Sequence, residues 1–240
     1  MPTPYNLNVN HNCLACPART NPQRFCNLSM QAIASLEKIK FTGVYPKGSL
    51  LFVEGEESRG VFILCSGKVK LTTTSSEGRT LIVRVAEAGD VLGASAVILK
   101  RAYEVSAETL EPSQVNFIRH DDFMQFLASE KEAMMSIARQ LSGDYYAAQR
   151  EIRSFGLAQT TSEKLARLVL DWCDQRGEKT DHGIRLKVLL THEEIAQMIG
   201  TTRETVTRLL MQLRNKKVID VKGSTVMVSQ PAALEQMVTV

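Results

Sequence analysis

Residues 190–210 read LTHEEIAQMIGTTRETVTRLL, and this stretch decides the fold of the carboxy-terminal part of the chain. Thr191 with Glu194 fits a capping box, in which two residues satisfy each other's backbone amides at the start of a helix. Thr201 with Glu204 fits a second capping box ten residues later. Two helix starts at this separation, with a glycine between them, predict a helix-turn-helix.

The apolar residues of this region predict which face of the second helix is exposed. The residues that form the predicted buried face are Ile195, Ile199, Val206, Leu209 and Leu213. The residues left outward at the start of the second helix are Thr202, Arg203, Glu204, Thr207 and Arg208. In the major groove of DNA, arginine can donate twice to guanine, glutamate can accept from cytosine and threonine can contact a thymine methyl. These five residues are therefore the predicted DNA contacts.

Two short predicted strands, 218–222 and 225–228, follow the second helix around a Gly-Ser turn and indicate a wing. From Arg203 to Lys222 there are six basic and two acidic residues, a local charge of 6 − 2 = +4. This excess suits contacts with phosphate, which supply affinity that does not depend on DNA sequence. The alternatives are a solvated helix face with incidental charge and a winged helix that contacts protein. The agreement of caps, spacing and wing favours DNA.

The composition of the 240-residue chain is that of an ordinary globular protein. Hydrophobic residues make up 44% and charged residues 23%, which excludes disorder or a collagen fold for most of the chain. The net charge is 29 − 26 = +3. No apolar run approaches the ~20 residues that a membrane span needs, and residues 1–12 lack the pattern of a secretory signal. We therefore expect a soluble protein of the cytoplasm with no membrane partner.

Glycine marks a different region earlier in the chain. Eight of the 14 glycines lie from Gly43 to Gly93, and none lies from Ala94 to Ser142. Short predicted strands alternate with the glycine-containing turns, at 50–53, 61–64, 68–73, 80–86 and 114–118. Strands this short and this regularly spaced predict an antiparallel barrel or jelly roll.

The period of the apolar residues then changes from two to seven. Two interleaved rows form a seam: Met134, Leu141, Ala148 and Phe155, with Ala138, Tyr145 and Ile152. This seam predicts a long helix that pairs with the same helix of a second copy. The alternative is an amphipathic helix that packs on its own barrel, because Gly143 and Asp144 interrupt the seam. A cap at 160–162 then predicts a new helix over 163–175, and a short strand is predicted at 186–190.

Together these features resemble the Crp–Fnr superfamily of bacterial transcription regulators, over roughly residues 28–230. The segment at 190–210 carries the most specific part of the resemblance. The resemblance implies an α+β fold with an antiparallel jelly-roll sensor domain of the cyclic-nucleotide-binding kind, a long dimerisation helix and a winged helix-turn-helix domain. The implied boundaries are a cysteine-containing segment at 1–28, the sensor at 29–127, the dimerisation helix at 128–158 and the DNA-binding domain at 159–240.

The resemblance also implies a function. It implies a homodimer that binds palindromic DNA and contacts RNA polymerase, so we expect DNA, a second copy and RNA polymerase as partners, and no catalysis. With arginine at position 203, the recognition helix is more similar to that of the branch that binds TGTGA half-sites than to that of the branch that binds TTGAT half-sites. Glu204 and Arg208 are common to both branches. A regulatory subunit of an enzyme or channel would use the same barrel but would lack the winged helix. A redox enzyme is disfavoured because the four histidines are scattered outside any motif.

The predicted sensor lacks the residues that hold cyclic AMP in the cyclic-AMP-binding members of the family. Those members use a glutamate for the sugar and an Arg-Ser pair for the phosphate. Ala94 stands at the glutamate position, residues 102–106 contain no Arg-Ser pair, and Glu104 would repel the phosphate. We expect that cyclic AMP does not bind tightly, and that the barrel is a packed scaffold or a site for another small ligand. The residues assigned to this effector pocket are Gly93, Ala94, Ser95, Tyr103 and Ser106.

Three of the five cysteines lie in a short segment ahead of the predicted sensor: Cys13, Cys16 and Cys26. This segment resembles the iron–sulfur-binding segment of the oxygen-sensing Fnr branch, although its last spacing is wider. The fourth ligand of that branch lies late in the barrel, where residues 114–116 contain no cysteine, so Cys65 is the candidate fourth metal ligand. The interpretations left open are an iron–sulfur cluster, a thiol–disulfide switch, a zinc site and no effector role. Cys173 is predicted to lie in a core.

Overall fold

The structure is a computed structural model that describes residues 5, 7, 9–22, 24–157 and 160–238. The chain divides into two compact units, Met1–Tyr146 and Ala147–Val240, and the division falls inside the longest helix. Separate helices and antiparallel sheets confirm the predicted α+β class. None of the helices in the described ranges combines the length and the apolar character that a membrane crossing requires.

The first unit contains, in chain order, α1 (Met30–Ile39), β1 (Lys40–Tyr45), β2 (Leu50–Phe52), β3 (Gly60–Ser66), β4 (Lys68–Thr74), β5 (Thr80–Glu87), β6 (Val91–Leu92), α2 (Ala94–Leu99), β7 (Ser106–Thr109), β8 (Ser113–Arg119), α3 (His120–Ser129) and the first part of α4 (Lys131–Leu157). The strands form two antiparallel sheets of four, in the orders β1-β8-β3-β6 and β2-β7-β4-β5. Two such sheets, each joining strands that are distant in sequence, confirm the predicted jelly roll.

All five strands predicted for this unit are present, as β2, β3, β4, β5 and β8. The sequence patterns did not predict β1, β6 and β7. β6 has only two residues and β7 reads SAET, so neither shows an apolar alternation. Helix α1 was also not predicted, although Ser29 caps it by accepting a hydrogen bond from the Ala32 amide at 3.2 Å.

The jelly roll has one core between its sheets and a second core on the outside of the first sheet. The residues buried between the sheets include Phe52, Phe62, Leu64, Val69 and Val115. On the outside, Val61, Ile63 and Ile118 pack in one cluster with residues of α1, α3 and the start of α4. β3 serves both cores because successive side chains of a strand point to opposite faces.

Helix α4 buries one face and exposes another. Ile137 is 3% exposed, in the core that α4 shares with α1 and α3. Three residues of the predicted seam, Met134, Tyr145 and Ile152, are 52%, 68% and 65% exposed. A single chain therefore leaves this apolar seam largely in solvent, which is the arrangement that pairing with a second copy requires.

The two residues that interrupt the seam in the sequence, Gly143 and Asp144, do not place a charge on the seam. Asp144 is half-buried, and its carboxylate accepts a charged hydrogen bond from Arg84 of β5. Gly143 has open space where a side chain would stand. Phe155, the last residue of the predicted seam, lies outside the residues whose side chains the structure describes.

The second unit contains the end of α4, then α5 (Thr161–Arg176), β9 (Glu178–Thr180), β10 (Gly183–Lys187), α6 (His192–Ile199), α7 (Arg203–Asn215), β11 (Ile219–Lys222), β12 (Thr225–Val228) and α8 (Pro231–Val238). Its sheet has the order β11-β12-β10-β9. The predicted helix over 163–175 is present as α5, and Cys173 is buried beside Trp172 as predicted. The strand predicted at 186–190 is wrong in position. β10 starts earlier because it pairs with β12 from Ile184 to Lys187.

Substitution of a buried aromatic residue tests the core around α1. Phe123→Ala should lower the free energy of unfolding by about 3–5 kcal/mol, because Phe123 is 0% exposed. Met30→Ala is the control on the exposed side of α1, and a change within about 0.5 kcal/mol is expected because Met30 is 59% exposed. Urea unfolding followed by circular dichroism measures both, and equal losses in the two variants would contradict this core.

Candidate nucleic-acid interface and cysteine site

The first helix of the helix-turn-helix, α6, begins as the sequence predicts. The hydroxyl of Thr191 accepts a hydrogen bond from the Glu194 amide at 3.2 Å, and the Glu194 carboxylate accepts one from the Thr191 amide at 2.7 Å. This reciprocal pair is a complete capping box. The helix ends at Gly200, whose φ of +66° lies in the left-handed region that favours glycine and turns the chain toward α7.

The second helix, α7, begins one residue later than the sequence predicts. The Thr201 amide still donates to the Ala196 carbonyl at 3.0 Å, so Thr201 belongs to the turn that closes α6. Thr202 is the N-cap instead, and its hydroxyl accepts a hydrogen bond from the Thr205 amide at 3.3 Å. The predicted capping box of Thr201 with Glu204 is therefore wrong.

Four of the five predicted DNA contacts are exposed together at the start of α7: Thr202, Arg203, Glu204 and Arg208. Within the described ranges, neither arginine forms an ion pair. The fifth residue, Thr207, is half-buried. Its hydroxyl donates to the Arg203 carbonyl at 2.9 Å and lies 2.9 Å from Nδ1 of His192 in α6, so it joins the two helices. The predicted inward face is confirmed, with Ile195, Ile199, Val206, Leu209 and Leu213 all buried.

The wing extends the basic surface beyond α7. β11 and β12 pair in antiparallel register, as predicted. Asp220 forms ion pairs of 3.6 Å with Arg214 and with Lys222. Lys216 and Lys217 are exposed and make no ion pair with any residue that the structure describes. The surface therefore keeps a positive excess, which suits a DNA backbone.

Polar contacts hold the cysteine-containing segment against the sensor. Cys13 begins a short 3-10 turn, and its amide donates to the carboxylate of Glu37 in α1. The ammonium of Lys40 lies 3.1 Å from Cys13 Sγ, and the Lys40 side chain is only 8% exposed. Asn116 of β8 places its amide nitrogen 3.8 Å from the same sulfur. A cation that is buried this close to a sulfur attracts negative charge onto the site.

The predicted metal ligands influence one another electrostatically. Burial, together with negative charge on Cys13 and Cys16, raises the pKa of the Cys26 thiol to about 12. Lys40 acts in the opposite direction. Burial also raises the pKa of the Cys65 thiol in β3, with smaller contributions from the other three cysteines. The Cys65 thiol is therefore coupled electrostatically to the amino-terminal trio.

Within the described ranges, no three His, Cys, Asp or Glu side chains are grouped closely enough to hold one metal ion. Thiolates are the soft ligands that an iron–sulfur cluster requires. Sequence reasoning missed Glu37 and Lys40 at this site because it did not predict α1 and β1.

Tyr103, one of the residues assigned to the effector pocket, packs closely against Phe52 and beside Gly93. Tyr103 is buried, its ring stacks on Phe52 with 4.1 Å between centroids, and its hydroxyl donates to the Gly60 carbonyl at 2.6 Å. A side-chain carbon at Gly93 would meet the Tyr103 ring at 2.7 Å, so Tyr103 fills the space beside Gly93. Ala94 is 2% exposed. A cavity of about 650 Å³ elsewhere in the sensor is lined by Tyr103 and by none of the other four assigned residues.

Comparisons with known proteins agree with this architecture. Residues 43–130 match the cyclic nucleotide-binding domain family, and residues 163–237 match the Crp-like helix-turn-helix domain family. A CRP-like cAMP-activated global transcriptional regulator of Mycobacterium tuberculosis is 25% identical over 210 residues, which are 88% of this chain and 93% of the relative. A global nitrogen regulator of a Nostoc species is 27% identical over 220 residues, 87% of this chain and 97% of the relative.

A solved structure shows the same fold. A CooA mutant from Carboxydothermus hydrogenoformans matches with a TM-score of 0.73 and 22% identity, covering 84% of this chain and 89% of that one. A jelly-roll sensor, a long helix and a winged helix-turn-helix with an exposed recognition helix define a class of DNA-binding transcription regulators. Within that class, the chain belongs to the Crp–Fnr family.

The raised pKa of Cys26 predicts slow alkylation in the reduced, metal-free protein. Thiolate is the nucleophile, and a pKa of about 12 leaves little thiolate near neutral pH. The rate with iodoacetamide at Cys26 should rise about tenfold for each pH unit while the pH stays below that pKa. Residue-resolved mass spectrometry measures this rate, with the denatured protein as control. Equal rates at Cys26 in folded and denatured protein at neutral pH would contradict the burial of this thiol.

Proposed function

We propose that this regulator acts in the cytoplasm as a homodimer on palindromic DNA with TGTGA-like half-sites, and that it also contacts RNA polymerase. The observation that supports this most strongly is the exposed Arg203 in the first turn of α7. A helix in the major groove reads bases with its amino-terminal residues, and an arginine there can donate to both O6 and N7 of guanine. Glu204 can accept from cytosine on the same turn.

The homodimer is supported by the exposed seam of α4. Burying an apolar side chain such as Met134 or Ile152 contributes roughly 1.5–3 kcal/mol, so a seam of such residues favours association with an identical helix. A pair of identical subunits related by a two-fold axis presents two copies of α7. Two such helices read a site whose halves are inverted repeats, which is the reason for expecting a palindrome.

Base-specific contact by Arg203 can be separated from phosphate contact. Arg203→Ala should weaken binding to a TGTGA palindrome by about 1–3 kcal/mol per half-site and relax the preference at one base pair of each. Lys216→Ala is the matched control: it removes one exposed cation and should weaken all sequences alike. Fluorescence anisotropy on the palindrome and on single-base variants measures both. An equal loss on all sequences for Arg203→Ala would show that Arg203 contacts only the backbone.

We also propose that Cys13, Cys16, Cys26 and Cys65 hold an iron–sulfur cluster that reports oxygen or redox state. Their common, partly buried environment beside Lys40 supports this assignment. When bound, such a group reacts with oxygen or exchanges an electron. Thiolates that bind metal need no proton, so the burial that disfavours free thiolates is compatible with iron ligation.

The fourth ligand can be tested against a matched cysteine. After anaerobic reconstitution with iron and sulfide, Cys65→Ala should lose most of the bound iron, because a cluster of this kind needs four thiolates. Cys173→Ala is the control, since Cys173 is buried in the core of the winged helix, and it should keep its iron. Visible absorbance and iron analysis measure both.

Three other outcomes would contradict the assignment in different ways. Full iron in Cys65→Ala would mean that the trio acts with a different fourth ligand. Stoichiometric zinc, retained in place of iron, would favour the zinc site. Colourless wild-type protein whose DNA affinity is unchanged when the trio becomes serine would exclude both the cluster and the thiol switch.

A chain of ion pairs offers a route from the cysteine segment to α4 within the first unit. Arg24, two residues before Cys26, donates to Asp90 at 2.8 Å. Arg84 lies 3.3 Å from the other oxygen of Asp90 and also pairs with Asp144 of α4. These four side chains are between 15% and 35% exposed, so water screens them less than a surface pair. We propose that order in the cysteine segment biases α4 through these pairs.

Breaking the ion pair between Arg24 and Asp90 should weaken the effect of the cysteine segment on DNA affinity. Arg24→Gln should reduce the effect of iron loading on DNA affinity by about 0.5–2 kcal/mol, and it should keep its iron because Arg24 is not a ligand. Arg79→Gln is the control, since the Arg79 side chain is 86% exposed and pairs only with Glu77 in the described ranges. DNA anisotropy with loaded and metal-free protein measures the difference. An effect of loading that is the same in both variants would contradict this route.

The second candidate for the signal is a small molecule in the sensor. We propose that cyclic AMP is not this molecule, although the Mycobacterium relative is named as activated by it. Ala94 cannot hydrogen-bond a sugar, and Tyr103 fills the space beside Gly93. A phosphate left without a cation or backbone donors would lose its hydration without compensation.

A further inference from the structure

The sensor contains an aromatic cavity that the cluster and the DNA contacts do not use. Its volume is about 650 Å³, within the range of small-molecule sites. Its aromatic walls are formed by Phe41, Tyr45, Phe52, Phe62, Tyr103 and Phe117. The cavity is lined by residues of β1 and of β2, which are edge strands of the two different sheets.

The aromatic walls form a continuous surface that is fixed at its base. Phe62 lies 5.4 Å from Phe52 and 4.9 Å from Phe117, measured between ring centroids. Tyr103 stacks on the other side of Phe52. Phe52, Phe62 and Tyr103 are nearly buried, so the base keeps its shape without a ligand. Phe41 lies at the lip and is 52% exposed.

Charged residues at the entrance indicate the chemistry of the ligand. Glu56, Glu57 and Arg59 line the cavity and are exposed, and none of them forms an ion pair within the described ranges. A second guanidinium, that of Arg119, lies over the Phe41 ring, 5.1 Å from its centroid, so a cation already rests on an aromatic face beside the cavity. Aromatic faces and carboxylates both attract organic cations.

We propose that this cavity is a ligand site for a small planar aromatic molecule that carries a cationic amine. The ring would lie against the aromatic walls, and the amine would lie at the entrance near Glu56 and Glu57. This site is separate from the pocket assigned in the sequence, since they share only Tyr103, and it gives the sensor an input that does not depend on the cysteines.

Three probes with the same ring system test the class of ligand. Isothermal titration calorimetry of the full chain with tryptamine, indole and indole-3-acetate varies the charge from positive through neutral to negative. Tryptamine should bind at least about tenfold more tightly than indole-3-acetate, because the aromatic faces and the carboxylates of Glu56 and Glu57 attract a cationic amine. Cyclic AMP is the fourth probe and should show no saturable binding. Absence of saturable binding by tryptamine and by indole would overturn the site, and a preference for indole-3-acetate would overturn the ligand class.

Substitutions of residues that line the cavity test whether the probes bind there. Phe41→Ala and Tyr45→Ala should weaken tryptamine and indole alike, each by about fivefold or more, because each removes a wall that the ring contacts. Glu56→Gln with Glu57→Gln should weaken tryptamine and leave indole unchanged. Leu81→Ala is the control: Leu81 is 37% exposed on β5 and does not line the cavity. Probe binding that is unchanged in all of the cavity variants would overturn the proposal, whatever the result of the DNA experiments.

Discussion

Helix α4 packs into the core of the sensor with one face and exposes an apolar seam on another. The rest of the structure depends on both faces. Its inner face, with Ile137, closes the core that contains α1 and α3. Its outer face carries Met134, Tyr145 and Ile152, which a single chain leaves exposed. A helix of 27 residues can hold both faces because its apolar residues recur near the helical period on two separate sides. Any change that shifts α4 against the sensor therefore also changes the surface offered to a second copy.

The cysteine site is constrained by a nearly buried positive charge, the ammonium of Lys40. Lys40 places a nearly buried ammonium against Cys13, and Glu37, whose carboxylate is 3.9 Å away, is its only ion-pair partner in the described ranges. A buried charge with weak compensation is costly. Iron-bound thiolates would supply the missing negative charge, and burial would no longer oppose their deprotonation. Lys40 thus favours a thiolate at this site whether it is free or bound to a metal, whereas burial disfavours only the free thiolate.

The sequence predicts local structure best where side chains act on their neighbours along the chain. The Thr191–Glu194 box, the left-handed Gly200 and the buried face of α7 all follow from spacing within a few residues. The start of α7 is misplaced by one residue because Thr201 and Thr202 are both able to cap a helix, and only the closing turn of α6 decides between them. β10 is misplaced because pairing with β12, and not its own composition, sets its ends.

The spacing of residues in the sequence could not predict contacts between residues that are distant along the chain. Cys65 could be named as a candidate ligand, but its electrostatic coupling to the trio arises only in the folded chain. Tyr103 could be recognised as a departure from a cyclic-AMP site. Its stacking on Phe52, and the aromatic cavity on the far side of that pair, arise only when two sheets face each other. Phe52 and Tyr103 are 51 positions apart, so the sequence carries no local signal of this contact.

We propose that the state of the cysteine segment controls specific DNA binding by the dimer. The most direct measurement is the affinity of the full chain for a TGTGA palindrome and for a scrambled duplex, first anaerobically after iron and sulfide loading and then after exposure to air, at one fixed salt concentration. In one state the palindrome should bind about 10³-fold more tightly than the scrambled duplex, and in the other state this ratio should fall by at least about tenfold. A ratio that is the same before and after air would contradict the account.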